Sequence, residues 1–386
     1  MWIKSALASA MSLAFSSAVA AEAPSYSLLG DWPVKTTTES GVEIGLRGNL
    51  SYDYNEFGDD RVAGGGAHFA DDHAWRRQEL NAYVRKPGVF DVAMGYDFEN
   101  KVWLDNFIRL SSERGGDLRI GQFKTAVGYE EGAVGTTSTT FLERALPVST
   151  VYAGRRLGVD WTYEKLKGWY INAAVMSGGD LQGDNDGRML AARVVFNPVK
   201  TDADIVHVGV SASNEKRDDD SARIRVRPEA FLTPVRLVDS GAIGSVEAIN
   251  RAGLEAIWQH GPLLLQSEYL RMGVQREGRP DFEADGYYVS GAWVLTGEKR
   301  SYKSAAFGNV KPKHDYGAFE VALRYSTVNI DHGLLRGGKQ KDWTLGLNWY
   351  IGQHFKLQAN YVLVDSERRG VELDPNITEL RMQVYF

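Results

Sequence analysis

The chain ends in ELRMQVYF, residues 379–386, and this stretch decides its fold. Its side chains alternate between an apolar set and a polar set, namely Leu380, Met382, Val384 and Phe386 against Glu379, Arg381, Gln383 and Tyr385. Because successive side chains of a β-strand point to opposite faces, one face of this strand is apolar and the other is polar. An apolar side toward lipid and a polar side toward water are typical of a transmembrane β-barrel strand.

The same alternation recurs along most of the chain, most clearly in Phe319–Tyr325, Trp343–Ile351 and Phe355–Leu363. Earlier segments with the pattern of a strand are Trp75–Lys86, Val89–Phe98, Trp103–Ser112, Leu118–Phe123, Leu157–Leu166, Trp169–Met176, Met189–Asn197, Ile205–Ser213, Ala222–Arg227, Arg251–Gln259, Leu263–Met272 and Tyr287–Leu295. We therefore predict an all-β fold, a transmembrane antiparallel β-barrel over residues 41–386. About 16 strands would use roughly 23 residues each, including half of each adjoining connection, and a count of about 18 stays open.

The connections between these strands differ in length. Turn residues mark short connections at Lys86–Gly88, Lys167–Gly168, Gly261–Pro262 and Gly352–Gln353. Longer hydrophilic stretches lie at residues 58–72, 124–156, 276–283, 298–316 and 365–377. Outer-membrane barrels have short periplasmic turns and longer outer loops, so we expect the long stretches on the outer side.

The first residues have the pattern of an export signal. Lys4 precedes an apolar run of small residues, and Ala18-Val19-Ala20 is the pattern that signal peptidase recognises. We predict a signal peptide at residues 1–20, cleaved after Ala20 or Ala21, and a short periplasmic segment at residues 21–40. A transmembrane anchor is the alternative, but the run is shorter than the about 20 apolar residues that such an anchor needs.

The composition excludes other classes of protein. The chain of 386 residues has a formal charge of −6, which becomes −7 when Lys4 is removed with the signal, and it has no cysteine. Nucleic-acid recognition needs a basic face, so we expect no nucleic-acid partner. Without disulfides, stability must come from backbone hydrogen bonds and packing. A mean hydropathy of −0.32 fits a barrel, in which only alternate residues need be apolar, although a soluble array of β-sandwiches would also satisfy it.

Several segments resemble the phosphate- and polyphosphate-selective porins of the bacterial outer membrane (O and P type). They are Arg119–Thr125 with Glu130-Glu131, Thr140–Arg144 with Leu146-Pro147, Gly154–Val159, Arg227–Glu229 with Val238–Gly241, Gly286–Val289 and, as the sharpest match, Leu295–Tyr302. The similarity runs from about Ala74 to Phe386, with the segments in the same order. The terminal Phe386 also resembles the sorting signal that the outer-membrane barrel assembly machinery recognises.

The resemblance implies a sixteen-stranded barrel in the outer membrane of a Gram-negative bacterium, in contact with its lipid and assembled as a homotrimer. It also implies a loop at about 124–156 that folds inward to constrict a water-filled pore, and passive ion transport of small anionic solutes such as phosphate or polyphosphate. However, Ala126-Val127 stand where family members commonly carry Pro-Phe, and residues 136–140 are threonines and a serine where lysines are common. A porin for other small polar solutes, without marked anion selectivity, is therefore the alternative function.

Three arginines suggest a track for anions. Arg223, Arg225 and Arg227 are spaced two apart, with the apolar Ile224 and Val226 between them. On a strand this spacing would place three guanidiniums on one face, about 6.8 Å apart. That face should be the lumen, because a charge toward lipid costs about 2–4 kcal/mol at the midplane, and a guanidinium can hold phosphate or carboxylate oxygens. Alternatively, these arginines pair with carboxylates at 218–220 or Glu229, or belong to an external loop.

Other basic residues lie at the expected inward loop or in late strands. Lys124, Arg144, Arg155 and Arg156 border or belong to the loop and could form a positive eyelet that filters solutes. The alternative is neutralisation by the loop carboxylates Glu130, Glu131 and Glu143. A last set alternates with apolar neighbours and should face the water of the lumen, as a solvated wall more than as a specific site: Arg324, Lys356 and Arg381.

The sequence has no motif that indicates a catalytic or metal site. It has neither an HExxH pair nor a Gly-x-Ser-x-Gly elbow, so we predict no enzyme activity and no cofactor. The stretch 180–187 does not fit a calcium loop, because Arg193 stands where a bidentate Glu is required. A barrel lipase and a purely structural barrel or adhesin are the alternatives from other classes.

Overall fold

The computed structural model describes residues 29–58, 69–177, 179–183 and 187–386. Its main feature is a set of sixteen antiparallel strands. They are β1 (Glu43–Phe57), β2 (Asp72–Lys86), β3 (Phe90–Asp97), β4 (Asn106–Ser112), β5 (Gly116–Lys124), β6 (Arg155–Tyr163), β7 (Trp169–Met176), β8 (Arg188–Lys200), β9 (Asp204–Lys216), β10 (Val246–His260), β11 (Leu263–Arg276), β12 (Phe282–Val294), β13 (Ala318–His332), β14 (Leu335–Ile351), β15 (Phe355–Arg368) and β16 (Asn376–Tyr385).

The strands close into a barrel. Each strand pairs with its neighbours in sequence, and the last strand, β16, also pairs with β1, from Asn49↔Tyr385 to Phe57↔Ile377. The prediction of a transmembrane antiparallel barrel with about 16 strands is therefore confirmed. Closure leaves no barrel strand with an unpaired edge, which is what a membrane requires of a β-structure.

Burial alternates along the strands as the sequence pattern predicts. In β16, Glu379 and Arg381 are buried, whereas Leu380 and Met382 are 47% and 60% exposed. The exposed side chains of the wall are largely apolar because they face lipid, and the polar side chains face the interior. Tryptophan and tyrosine mark the boundaries of the apolar band, for example Trp343 against Tyr325, with ring centroids 4.9 Å apart.

Shorter elements complete the described secondary structure. The helix α1 spans Leu146–Thr150. The short strands are Lys35–Thr37, Val102–Trp103, Ser221–Ala222, Arg225–Val226, Val238–Asp239, Ile243–Gly244, Arg300–Lys303, Ala306–Val310 and Val371–Leu373. No helix in the described ranges is long and apolar enough to cross a membrane. The predicted signal peptide, residues 1–20, lies outside the described residues.

The connection between β12 and β13, residues 295–317, lies at the end of the barrel that carries the short turns. Since each strand reverses direction, this connection shares an end with residues 87–89 and 352–354, and Val294 N–H donates to Pro262 of the turn 261–262 (3.1 Å). The expectation that 298–316 is an outer loop is therefore wrong. The connection folds into the lumen as a hairpin of Arg300–Lys303 and Ala306–Val310.

Candidate permeation pathway

The connection between β5 and β6, residues 125–154, lies inside the barrel, as predicted for the inward loop. Its apolar side chains Phe141, Leu142 and Leu146 are at most 2% exposed. Phe141 packs where β14 has no side chain, because a Cβ at Gly346 would lie 3.1 Å from the Phe141 ring. The loop contacts β11 and β13–β16 and also binds Asn49 of β1 and Glu79 of β2 through Thr136. The open space of the lumen is lined mainly by β1–β6 and the connections beside them.

Charged side chains of the wall hold this loop. Arg381 binds Asp53 (Nε–Oδ1, 2.6 Å), the Leu142 carbonyl (2.7 Å) and Glu143 (2.9 Å). Lys356 Nζ donates to the Thr139 carbonyl at 2.6 Å. These contacts fasten the loop to β16 at Leu142 and Glu143 and to β15 at Thr139.

Arg324 has the same role on β13. It binds Glu229 (Nε–Oε2, 3.1 Å), lies 3.8 Å from Glu130, and donates to the Glu143 carbonyl. The expectation that Arg324, Lys356 and Arg381 form a solvated wall is therefore wrong. They face the lumen, but they are at most 2% exposed because the loop and the 217–245 connection cover them.

The outer connection 217–245 also enters the barrel. Ile224, Val226 and Val238 pack with Leu146 and Val148 of the inward loop in one buried apolar cluster. This placement corrects the prediction of a barrel strand at 222–227, because only the two-residue strands Ser221–Ala222 and Arg225–Val226 form there. The alternation itself is observed. Ile224 and Val226 are buried in the cluster, whereas Arg223, Arg225 and Arg227 are more exposed.

The space left by these inward segments forms two adjoining cavities, each of about 360 Å³. The outer cavity is lined by the outer halves of β2 and β3 and by the connection 217–245, and the inner cavity by residues nearer the short turns. The two share Glu79, Leu104, Lys124, Thr136 and Arg155. These five residues therefore line the place where the two cavities meet, which we call the junction.

Basic residues outnumber acidic ones around the outer cavity by eight to five. The basic residues are Arg76, Arg77, Lys124, Arg144, Arg155, Arg225, Arg227 and Arg236, and the acidic ones are Glu79, Asp97, Glu131, Glu143 and Glu229. The carboxylates already have cationic or amide partners, as in the pair Arg144–Glu131 (2.8 Å). Positive charge is therefore the excess charge of this cavity, although the whole chain is acidic.

Three guanidinium nitrogens of the outer cavity lack a hydrogen-bond partner within the described part of the chain, namely Arg77 Nη1, Arg144 Nη2 and Arg236 Nη1. Burial and the neighbouring charges of Arg227 and Arg225 lower the pKa of Arg236 to about 10. Burial, with the charge of Arg76, also lowers the pKa of Arg227. Buried donors without partners are costly, so an anion that binds them would be stabilised.

A second outer opening, of about 330 Å³, adjoins the outer cavity at Val102, Tyr152 and Arg155. Its charged lining consists of Arg155, Arg156, Arg217, Arg223, Arg251 and Asp180. Arg223 binds Asp239 (2.9 Å), and Arg156 binds Glu215 (3.2 Å). The hydrogen bond from Arg223 lowers the pKa of Asp239 to about 2, so this pair stays ionised at neutral pH.

Seven of the ten predicted site residues line these cavities in three groups, and the other three, Arg324, Lys356 and Arg381, hold the inward segments. Lys124 and Arg155 stand at the junction, with Arg144 above it. Arg225 and Arg227 line the outer cavity, and Arg156 and Arg223 line the second opening. The alternative of internal pairing also holds, since Glu131 binds both Lys124 (3.4 Å) and Arg144. Although burial alone would raise the pKa of Glu131, the charges of Arg144 and Lys124 lower it.

Sequence reasoning missed Arg76, Arg77 and Arg236. Arg76 and Arg77 are adjacent, so strict alternation would direct one of them toward lipid. A β-bulge resolves this conflict, because Ser51 pairs with Arg77 and Tyr52 with Trp75, which leaves Arg76 as the extra residue. The cavity receives both side chains. In the sequence, two adjacent charged residues within an otherwise alternating strand indicate such a bulge.

No group of His, Cys, Asp and Glu in the described ranges could hold a metal ion. His207 forms hydrogen bonds with Glu255 (2.9 Å) and Tyr302 (2.8 Å). It is buried between the wall and the hairpin 300–310, which is a structural position.

Comparisons with known proteins agree with this architecture. The family model described as phosphate-selective porin O and P matches residues 44–386. Porin O of Pseudomonas aeruginosa is 26% identical over 377 residues, which cover 86% of this chain and 85% of that protein.

Two solved structures share the fold at low identity. OmpT of Vibrio cholerae, in its trimer form, has a TM-score of 0.59 at 12% identity, and the match covers 89% of this chain and 99% of the OmpT chain. An anion-selective porin from Comamonas acidovorans has a TM-score of 0.55 at 11% identity, and the match covers 89% of this chain and 100% of that porin.

Proposed function

The chain belongs to the phosphate-selective porin O and P family, and we propose that it conducts small anions passively across the outer membrane, with phosphate-like oxyanions preferred. The observation that carries this proposal is the excess of basic side chains around the outer cavity, three of which have nitrogens without partners. Guanidinium groups bind phosphate oxygens through paired N–H donors. Several moderate sites along a path favour transport, because an anion must leave as well as enter.

The arrangement supports a sequence of three steps. The second opening and the outer cavity attract an anion from outside, since a cleft lined by one sign of charge concentrates the opposite ion. Arg225, Arg227 and Arg236 then replace part of its hydration shell. The anion then passes Lys124 and Arg155 at the junction, which Glu79 and Thr136 also line, and enters the inner cavity.

Phosphate should block the chloride current of the purified protein. We expect an anion-preferring reversal potential across a planar bilayer with a salt gradient, and inhibition of chloride conductance by added phosphate because both anions use the same donors. The variant Arg225→Gln/Arg227→Gln/Arg236→Gln should weaken the block by at least about tenfold, the equivalent of about 1.4 kcal/mol. The matched control Lys165→Gln/Lys167→Gln changes exposed lysines of a short turn and should leave the block unchanged.

A porin for neutral polar solutes is the second candidate, and Thr136 at the junction is the observation that favours it. Liposome swelling separates the two functions. Equal rates with neutral sugars and with phosphate, or a cation-preferring reversal potential, would replace the proposed function with this one. Neither function needs catalysis, and we propose no enzyme activity; ester hydrolysis by the purified protein would reverse that view.

We also propose that the protein assembles as a homotrimer through its short strands. β3, β4 and β7 have only 8, 7 and 8 residues, whereas a lipid-facing strand needs about 9–11. The exterior of the wall that these short strands form is apolar, with Ile108 and Ile120 about half exposed. A neighbouring barrel would cover the exterior of these strands, which are too short to span the hydrocarbon. OmpT of Vibrio cholerae, which shares the fold, has a trimer form.

The oligomer should therefore depend on this wall. Ile108→Asn/Ile120→Asn should convert the slow-migrating species of an unheated gel into monomer, because the polar side chains oppose packing between barrels. The control Leu323→Asn/Leu345→Asn places the same change on the opposite wall, where both residues are about half exposed, and should preserve the oligomer. If both variants dissociate equally, the contact lies elsewhere.

A further inference from the structure

The exterior of β11–β14 carries a repeated pair of side chains. Each strand has an aromatic residue and, two positions nearer the outer loops, a polar one. The aromatic residues are Tyr269, Tyr287, Tyr325 and Trp343, and the polar ones are Arg271, Asp285, Thr327 and Lys341. A spacing of two keeps both on the lipid-facing side. Aromatic rings of this kind lie at the boundary between hydrocarbon and headgroups, so the polar residues lie at the level of the outer headgroups.

The two cations of this belt each have an exposed carboxylate partner. Arg271 lies 2.5 Å from Glu283, and Lys341 lies 3.5 Å from Asp365. All four side chains are 42–69% exposed, and exposed pairs contribute little because water competes for both ions. A phosphate at this level can therefore replace the carboxylate at small cost.

A groove on the same exterior lies beside Arg271. Its volume is about 240 Å³, and its lining includes Asn250, Arg271, Gly273 and Glu283. Gly273 pairs with Asn250 on one side and Glu283 on the other, and a Cβ at Gly273 would meet no atom within 4 Å. The missing side chain thus leaves a depression in the wall, with the guanidinium of Arg271 at its rim.

We propose that this belt binds a glycolipid of the outer leaflet whose disaccharide headgroup carries a phosphate at each end. One phosphate would bind Arg271 and the other Lys341. β11 and β14 are three strand spacings, or roughly 14 Å, apart, and the register from Arg271 through Asp285 and Asn329 to Lys339 offsets Lys341 by two residues, or roughly 7 Å. The two backbone positions are therefore roughly 16 Å apart, and the long side chains of Arg271 and Lys341 can bring their charges to two phosphates on one disaccharide. The sugars would contact the rings between them, and a sugar would fill the groove at Gly273, which lies nearer the outer loops than Arg271.

The two-point geometry distinguishes this occupant from an ordinary anionic phospholipid. A phospholipid with one phosphate can bind only one of the two cations at a time. Acidic side chains also lie in the belt, Asp285 and Glu283 among them, and they would repel a headgroup that did not place its phosphates at the cations. The proposal rests on the outer-membrane location and not on the anion preference of the pore.

The test measures binding of diphosphoryl lipid A to the full-length protein in detergent by native mass spectrometry. We expect it to bind at least tenfold more tightly than the same lipid without phosphates. Arg271→Gln/Lys341→Gln should lose this preference, whereas the control Lys165→Gln/Lys167→Gln should retain it. Heat-modifiable gel mobility confirms that each variant is folded.

Three results would overturn the proposal: equal binding of the lipid without phosphates, unchanged preference in the double variant, or full competition by phosphatidylglycerol. The last would indicate a general anionic surface. Arg271 and Lys341 lie outside the lumen, so the anion-to-cation permeability ratio of the double variant should equal that of the wild type. Failure of this proposal is therefore separate from failure of the proposed transport function.

Discussion

Arg381→Met should release the inward loop and enlarge the pore. The guanidinium of Arg381 is buried and makes hydrogen bonds of 2.6–2.9 Å to Asp53, the Leu142 carbonyl and Glu143. Its loss leaves Asp53 without its cation, and breaking a buried ion pair from one side costs about 3–5 kcal/mol. Since Leu142 and Glu143 are points where the loop meets the wall, we expect at least about a twofold rise in single-channel conductance, together with a lower unfolding temperature.

A matched control distinguishes loop release from general loss of an ion pair. Arg85 binds Glu43 at 2.7 Å on the same side of the barrel, but the two side chains are 33% and 20% exposed and the pair does not include a residue of the loop. Arg85→Met should therefore leave conductance at the wild-type value. If Arg381→Met lowers the unfolding temperature while conductance stays the same, Arg381 stabilises the wall and does not hold the constriction.

The barrel could be predicted from the sequence because its determinant is local. Lipid on one side and water on the other impose a period of two on every strand, and Trp169–Met176 was predicted with the bounds that the structure has. Lumen-facing Arg324 and Arg381 were identified for the same reason. Their burial was not, because it depends on the loop 125–154, whose contacts are distant in sequence.

The positions of the connections were harder to predict. An alternating segment in a connection has the same local pattern as a wall strand, so the pattern at Ala222–Arg227 predicts a strand that the wall does not contain. The length of a connection alone does not identify the end of the barrel at which it lies. The hairpin at 300–310 was misplaced because a long connection at the short-turn end has no local signature.

The hairpin at 300–310 also holds the inward loop. Arg300 donates to the Ser138 carbonyl (3.3 Å) and Thr140 Oγ1 (3.1 Å) of the loop while it binds Glu320 of β13 (2.8 Å). On the other side, the Phe307 N–H donates to Tyr129 Oη at 3.2 Å. The constriction is therefore held from the wall and from the short-turn end together, which keeps Lys124 and Arg155 at fixed positions.

Neutralising both junction cations should reverse the ion preference of the channel. The junction has two basic residues, Lys124 and Arg155, and one acidic residue, Glu79. Lys124→Gln/Arg155→Gln changes its formal charge from +1 to −1, and also leaves Glu131 and Asp105 without Lys124 and Arg155. We expect the anion-to-cation permeability ratio to fall by at least about tenfold, or about 1.4 kcal/mol, and the reversal potential in a salt gradient to change sign.

A paired variant shows whether charge or shape causes the change. Lys124→Gln/Glu131→Gln removes one cation and its bound carboxylate (3.4 Å), so the net charge near the junction is preserved while Lys124 is still lost. Selectivity should then remain on the anion side. If this neutral pair also reverses the preference, the geometry of the loop determines selectivity; if Lys124→Gln/Arg155→Gln leaves the ratio unchanged, the filter lies in the outer cavity, at Arg225, Arg227 and Arg236. Since a unit charge acts over several ångströms at low effective dielectric and the junction lines both cavities, a change of charge there should have its largest effect.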